Sequence, residues 1–307
     1  MSGDLARALL TGVADASISS SVALRSHGAR FSGDTIDRAA LGGLAASGVG
    51  WAFACGYQAA LARLDPEPAR GTLMALCATE EGGGHPRAIR ATLTSGGGDG
   101  RYALTGRKAW VTLGAEAEVL LVVASVGVDP QGRNRLRVAR VPSGRAGVRL
   151  EPRADTPFAP EIRHAHAVFE EVAVDEKELL PGDGYATVLK PFRTVEDTHV
   201  MAAVLGWAIG VARHSAWEPG WIEEAVALVV ALRAIGAAPP SHPGGHIALA
   251  GALTGTRRLL DAAAWERVEA GVRVAWERDR PLLAVASTVR AARLEAAWRT
   301  LEGSEPS

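Results

Sequence analysis

Apolar and polar positions follow two periods, helical and strand, in three successive segments of this chain. Over residues 1–71 the spacing is helical. Ile36, Ala39, Ala40 and Leu44 fall on one helical face, and Asp34-Thr35 before them is a helix-start signal. A second helix is predicted over residues 51–64, ended by Pro66 and Pro68. Over residues 72–191 the pattern becomes short apolar or alternating runs. These predict strands at 73–78, 89–93, 102–104, 109–112, 119–126, 136–141, 148–152 and 166–174. Turn chemistry separates them, at Gly96 to Gly100 and at Asp129-Pro130-Gln131-Gly132. No helix-period stretch is interleaved, which argues against a βαβ sheet and a Rossmann domain. The triplets Gly82-Gly83-Gly84 and Gly96-Gly97-Gly98 therefore do not open helices as a phosphate loop requires.

From residue 192 the helical period returns. Leu282, Val285, Val289, Ala292 and Ala296 predict one apolar stripe, and Leu249, Leu253, Leu260 and Ala264 another. Pro239 to Gly245 reads as a loop, residues 303–307 as a frayed tail, and the apolar run 200–211 as a buried helix too short to span a bilayer. The expected fold class is α+β and multi-domain. A helical segment spans residues 1–71, a central β-barrel-like domain 72–191, and a helical bundle 192–307.

Composition narrows the function. Hydrophobic residues make up 48% and charged residues 22%, with a formal net charge of −1. That is ordinary globular chemistry, with no basic excess for nucleic acid. The two cysteines, Cys55 and Cys77, form no CxxC pair, which excludes a disulfide framework and a zinc spacing. The N-terminus lacks a basic region followed by a long apolar run, so a cytoplasmic location without membrane insertion is expected. His164 and His166 alternate on one strand face, but without a third ligand they read as a polar strand edge rather than a metal site. Trp217, Trp221, Trp265, Trp276 and Trp298 read as core and oligomer contacts.

Four blocks carry a resemblance. Cys77-Ala78-Thr79-Glu80-Glu81-Gly82-Gly83-Gly84-His85-Pro86 is similar to the signature TEPGAGSD. Leu104-Thr105-Gly106-Arg107-Lys108-Ala109-Trp110-Val111-Thr112 is similar to L-N-G-x-K-x-W-I-T. Residues 166–184 resemble a strand ending in V-P-x-x-N-L-L-G-x-x-G, and residues 201–212 resemble the first helix of a C-terminal bundle. In this order and spacing they resemble the acyl-CoA dehydrogenase family, in a shortened form.

The resemblance implies FAD-dependent α,β-oxidation of an acyl thioester such as an acyl-CoA, within a homo- or hetero-oligomer. It implies that Thr79 and nearby amides face the flavin pyrimidine and that Thr112 donates toward the reactive nitrogen. Trp110 would pack on the ring edge, with the Val111 backbone beside it. Cys77 belongs to the same flavin-binding block, and Gly84 and His85 would lie near the flavin phosphate and the thioester arm. The chain departs from the pattern at Glu81, His85, Pro86 and Leu113, where the family has Pro, Ser, Asp and Asn. The R-x-x-F-G-K stretch that clamps the dinucleotide and the Y-E-G segment with the usual catalytic glutamate have no counterpart. One subgroup keeps its base on the first bundle helix instead, which sets Asp197 at that position, with Glu196 beside it. The alternative is a catalytically inactive member, acting as a partner subunit or as a thioester-binding protein.

Overall fold

The computed structural model describes residues 2–97 and 100–303. It separates into two compact units. One comprises Met1–Arg63, Pro157–Glu161 and Arg193–Ser307, the other Leu64–Thr156 and Ile162–Phe192. The two helical segments of the chain thus lie in one unit.

The helical unit holds α1 (Ser2–Thr11), α2 (Ser21–Arg30), α3 (Thr35–Leu44), α4 (Val49–Leu64), α5 (Lys190–His214), α6 (Pro219–Ala237), α7 (Pro243–Asp261), α8 (Ala270–Asp279) and α9 (Ser287–Leu301). α3 begins as its sequence predicts, with the Asp34 carboxylate accepting from the Ile36 amide at 2.8 Å. Ile36, Ala39, Ala40 and Leu44 are buried. Ile36, Ala40 and Leu44 share one core with Val204, Leu205 and Ile209 of α5 and with Leu249 and Leu253 of α7. Helix Tyr185–His214 has the length and apolarity to cross a membrane, but most of it is buried inside the protein. α5 is a core helix, as the 200–211 run implied.

Close packing around α5 depends on absent side chains. A Cβ at Gly43 would stand 1.8 Å from the Ala203 carbonyl oxygen, and one at Gly206 2.0 Å from that of Ala40. Backbone therefore meets backbone where α3 and α5 cross. Trp265 and Trp276 stack at 4.5 Å, with Trp207 and Trp217 against them, so these four are core. Trp298 is exposed.

One expected stripe does not form. Val285 is 68% exposed, and Ala292 and Ala296 face solvent. The pattern assumed one continuous helix, whereas a 3-10 turn at Arg280–Ala284 precedes α9 and resets the phase. α9 instead turns Arg290, Arg293 and Ala297 inward. On α7, Leu249, Leu253 and Leu260 are buried as expected, but Ala264 lies beyond the helix end.

The sheet unit contains β1 (Met74–Cys77), β2 (Thr92–Ser95), β3 (Arg101–Thr112), β4 (Val119–Val128), β5 (Asn134–Pro142), β6 (Val148–Pro152) and β7 (His164–Asp175). The strand order is β1-β4-β2-β3-β7-β6, with β5 also paired to β4. It is a curled half-barrel rather than a closed barrel. The pairs β3–β7 and β4–β5 are antiparallel, and β1–β4 is parallel without an intervening α-helix. The two runs at 102–104 and 109–112 are one strand, bent by register shifts after Leu104 and Lys108. Ile89 caps a short 3-10 turn, Pro86–Ala88, rather than opening a strand. The turn expected at Gly96 to Gly100 includes residues 98 and 99, which lie outside the described residues, as does most of the 303–307 tail.

Candidate functional site

The bend in β3 brings the two main sequence blocks together. Thr79 and Trp110 form an antiparallel bridge, and the Ala109 amide donates to the Thr79 carbonyl at 2.8 Å. The loop after Thr79 reverses tightly. The Glu80 and Gly83 backbones exchange hydrogen bonds at 3.1 and 2.8 Å, with Gly83 at φ +99°, a conformation that costs glycine little.

A buried ion pair fixes this loop. Lys108 is 0% exposed, and its ammonium donates to Glu80 Oε1 at 2.7 Å and to the Ala78 carbonyl at 3.4 Å. Glu80 also accepts from the Arg90 and Ala91 amides at 2.7 and 3.0 Å. Burial pulls the Lys108 ammonium below the usual lysine range, and the Glu80 carboxylate pulls it back. Both residues lie inside the two motifs, but a charged letter in a strand pattern does not reveal that it points inward.

Trp110 is 37% exposed and flanked by two basic side chains. The Arg153 guanidinium sits 4.4 Å over its ring and donates to the Ala109 carbonyl at 2.7 Å. The His164 ring lies 4.6 Å from Trp110, and its Nδ1 is buried with no partner among the described residues. Burial, then the Arg153 charge, pushes the His164 pKa down to about 4, so its ring is neutral at pH 7. His166 meets Arg153 at 3.1 Å instead. No group of three or more His, Cys, Asp or Glu among the described residues is placed to hold a metal. Arg153 carried no signal in the sequence, since nothing marked it as the neighbour of Trp110.

The other expected flavin contacts divide. The Thr79 and Thr112 hydroxyls are only partly buried, and no other described residue engages them. Val111 turns its side chain into the sheet core, and its carbonyl accepts from Gly114 at 3.2 Å. Cys77 needs correcting. Its thiol is wholly buried in the core, and burial pushes its pKa up to about 12, which leaves no side chain to meet a cofactor. Gly84 stays in the loop, and the exposed His85 caps the 3-10 turn through Nδ1, which accepts from the Arg87 amide at 3.2 Å. Leu113, where Asn is usual, sits buried at φ +55°, so the sequence departure falls on a left-handed position that Asn tolerates better.

In the helical unit Asp197 is 5% exposed and clamped. Arg290 donates to Oδ1 through Nε and Nη2 at 2.9 and 2.7 Å, and Arg293 donates to Oδ2 at 2.6 Å. Two guanidinium donors fill Oδ1 and one engages Oδ2, so the carboxylate is largely committed to arginine. Glu196 beside it has no ion pair or hydrogen bond among the described residues. Its pKa is pushed up to about 7, by burial first and by the Asp197 charge second, with Arg290 and Arg193 pulling the other way.

Comparison with known proteins adds the following. Residues 75–172 match the family model described as acyl-CoA dehydrogenase, middle domain. The butyryl-CoA dehydrogenase structure from Megasphaera elsdenii is similar at TM-score 0.68 and 14% identity, covering 97% of each chain. FMN-bound TdsC from Paenibacillus sp. A11-2 is similar at TM-score 0.67 and 17% identity, covering 100% of this chain and 97% of that one. A glutaryl-CoA dehydrogenase from Mycobacterium smegmatis in complex with FADH2 is similar at TM-score 0.60 and 14% identity, covering 98% and 93%. A search of curated proteins finds no match.

Proposed function

From the premise that this chain is an acyl-CoA dehydrogenase-like protein, we propose that it binds a flavin on its sheet unit and oxidises an acyl thioester between its α and β carbons. The observation that carries this reading is the convergence of Thr79, Trp110 and Thr112 at the bend of β3, with two unengaged hydroxyls beside a partly exposed indole. The orphaned, buried Nδ1 of His164 against Trp110 fits a site completed by a polar ligand. When bound, the flavin supplies the hydride acceptor for such chemistry. Trp110 offers a flat stacking face, the threonine hydroxyls offer donors, and the Arg153 charge held on Trp110 favours an anion nearby.

The same chemistry removes a proton α to the thioester carbonyl and needs a carboxylate that is free and of raised proton affinity. Glu196 meets that description better than Asp197, whose oxygens are both taken by arginine. Glu196 is therefore the proposed base, and Asp197 the group that holds α9 against α5 and raises the Glu196 pKa. In a thioester-oxidation assay, Glu196→Gln is expected to lose most turnover. Full turnover in this variant removes Glu196 from the role.

A second reading is a thioester-binding protein or partner subunit without turnover. The arginine clamp on Asp197 favours it, because the position the family resemblance gives to the base is occupied. A melting-temperature shift with acyl-CoA but none with FAD supports this second reading over the first.

A further inference from the structure

The bend in β3 leaves a gap in its ladder. The register shifts between Lys108 and Val111, so Ala109 and Trp110 have no paired positions on β7. Such a bulge re-aims a side chain and leaves backbone groups to be satisfied elsewhere. The Ala109 amide goes to the Thr79 carbonyl at 2.8 Å. The Ala109 carbonyl is taken by Arg153, whose Nη1 donates to it at 2.7 Å. The same guanidinium lies 4.4 Å over the Trp110 ring. One side chain therefore holds both the backbone before Trp110 and the indole itself. Arg153 is held in turn. Its amide donates to the His164 carbonyl at 3.0 Å, and its Nη1 meets His166 Nε2 at 3.1 Å.

The charge on Arg153 is uncompensated. The nearest acid on its own strand, Glu151, is shared by Arg107 and Arg149 at 2.7 and 3.0 Å, and Arg149 also reaches Glu170 at 3.2 Å. Arg153 makes no ion pair among the described residues, and its buried Nε has no partner among them. The charge is felt at the neighbouring ring, where it is the second cause, after burial, that lowers the His164 pKa. Arg153 is only half-exposed, so its field is less screened than that of a cation in open solvent.

We propose that Arg153 is a positioning residue for the flavin site at Trp110: its fork aims the indole through the bulge, and its charge favours the reduced flavin over the oxidised one. The inference rests on the flavin reading above. Neither sequence block contains Arg153. The second half follows from charge balance. Two electrons and one proton taken up by a neutral flavin leave one negative charge on it, and a fixed cation nearby stabilises the charged form more than the neutral one.

Two readouts test the two halves. Arg153→Met removes fork and charge but keeps an apolar stem, and Arg153→Lys keeps the charge without the planar fork. Arg149→Met is the control, since it removes a cation of the same strand that acids already engage. The first readout needs no flavin. It is the Trp110 indole N–H signal in the NMR spectrum of the isotope-labelled protein, identified by its loss in Trp110→Phe. The signal is expected to shift in Arg153→Met and to stay in place in Arg149→Met. The second readout is the midpoint potential of the FAD-loaded protein, with dithionite supplying both electrons and the buffer the proton. Arg153→Met is expected to lose at least tenfold in preference for reduced flavin, about 30 mV for a two-electron couple. Arg153→Lys is expected to stay within about threefold of the wild type, and Arg149→Met to match it. Should Arg153→Met fail to fold, Arg153→Gln keeps a donor for the Ala109 carbonyl without the charge, and its potential is expected to fall as far. An unmoved indole signal in Arg153→Met overturns the aiming role. A potential that Arg153→Met leaves unchanged, or that the Lys and Met variants lower equally, overturns the charge role. A wild type that takes up no FAD fails the flavin reading and the charge role with it, while the indole signal still decides the aiming role.

Discussion

Lys108 carries one of the clearest energetic consequences in this molecule. It is fully buried, and Glu80 is its counter-charge. Removing one member of such a pair strands the other without solvent. Lys108→Met is therefore expected to destabilise the sheet unit by about 3–5 kcal/mol, read as a lowered urea midpoint. The sequence showed both residues inside its motifs but not their contact, because pairing across the loop depends on the bend in β3. The same limit explains Cys77. Its place in the motif implied a cofactor contact, while strand alternation turns its thiol into the core. Thr79 and Trp110 were named from their places in the two motifs; the bridge that joins them is, like the ion pair, visible only in the fold.

Glu196 gives a pH signature of known sign. Its folded pKa is about 7, raised above the ordinary glutamate value near 4.5. Between those values the folded state holds more protons than the unfolded one, so this group's contribution is complete below about pH 4.5 and lost as pH rises through about 7. Glu196→Gln is expected to raise the melting temperature at pH 8 and leave it nearly unchanged at pH 4. As a base, Glu196 must be ionised, so turnover is expected to rise with pH through about 7. His199 has the opposite sign. It is neutral and buried, with its rings' nitrogens at 2.7 Å from the Val195 carbonyl and 2.8 Å from the Thr35 hydroxyl, and its pKa is pushed down to about 4 by burial. Its contribution is present above about pH 6.5 and lost as pH falls toward 4. His199→Gln is expected to flatten that acid limb in a melting-temperature series.

At the scale of elements, the helix crossings are set by glycine. Gly206→Ala drives a methyl into the Ala40 carbonyl at 2.0 Å, which neither backbone can relieve cheaply. A loss of about 2 kcal/mol or more in denaturant unfolding is expected, against a gain of up to about 1 kcal/mol for Gly251→Ala, an exposed position inside α7 whose added carbon meets nothing within 4 Å. α3 was legible because cap and apolar face agree. α2 was not, because its sequence buries only Leu24 and its cap, Ser20 accepting from Ala23 at 3.2 Å, lies in a run of serines without an apolar period. The misplaced stripe over 282–296 has a different cause. A period fitted across 282–296 cannot register a 3-10 turn that rotates the following helix, and Arg290 and Arg293 are the residues that face Asp197.

At the scale of the whole molecule, the order of helices, strands and helices was readable from periodicity, since each period persists for many residues. That the first and last segments share a core was not, because such contacts link residues near 40 to residues near 205 and leave no local trace. The family resemblance rested on the sheet unit, and the matched middle domain, residues 75–172, lies within the segment that carried most of the motif signal. The central claim, that this unit presents a flavin half-site at Thr79, Trp110 and Thr112, is tested most directly by the visible absorption spectrum of the purified protein after incubation with FAD and removal of unbound flavin. A flavin band retained by the wild type and lost in Trp110→Ala/Thr112→Val is the predicted result. A colourless wild-type protein would contradict it.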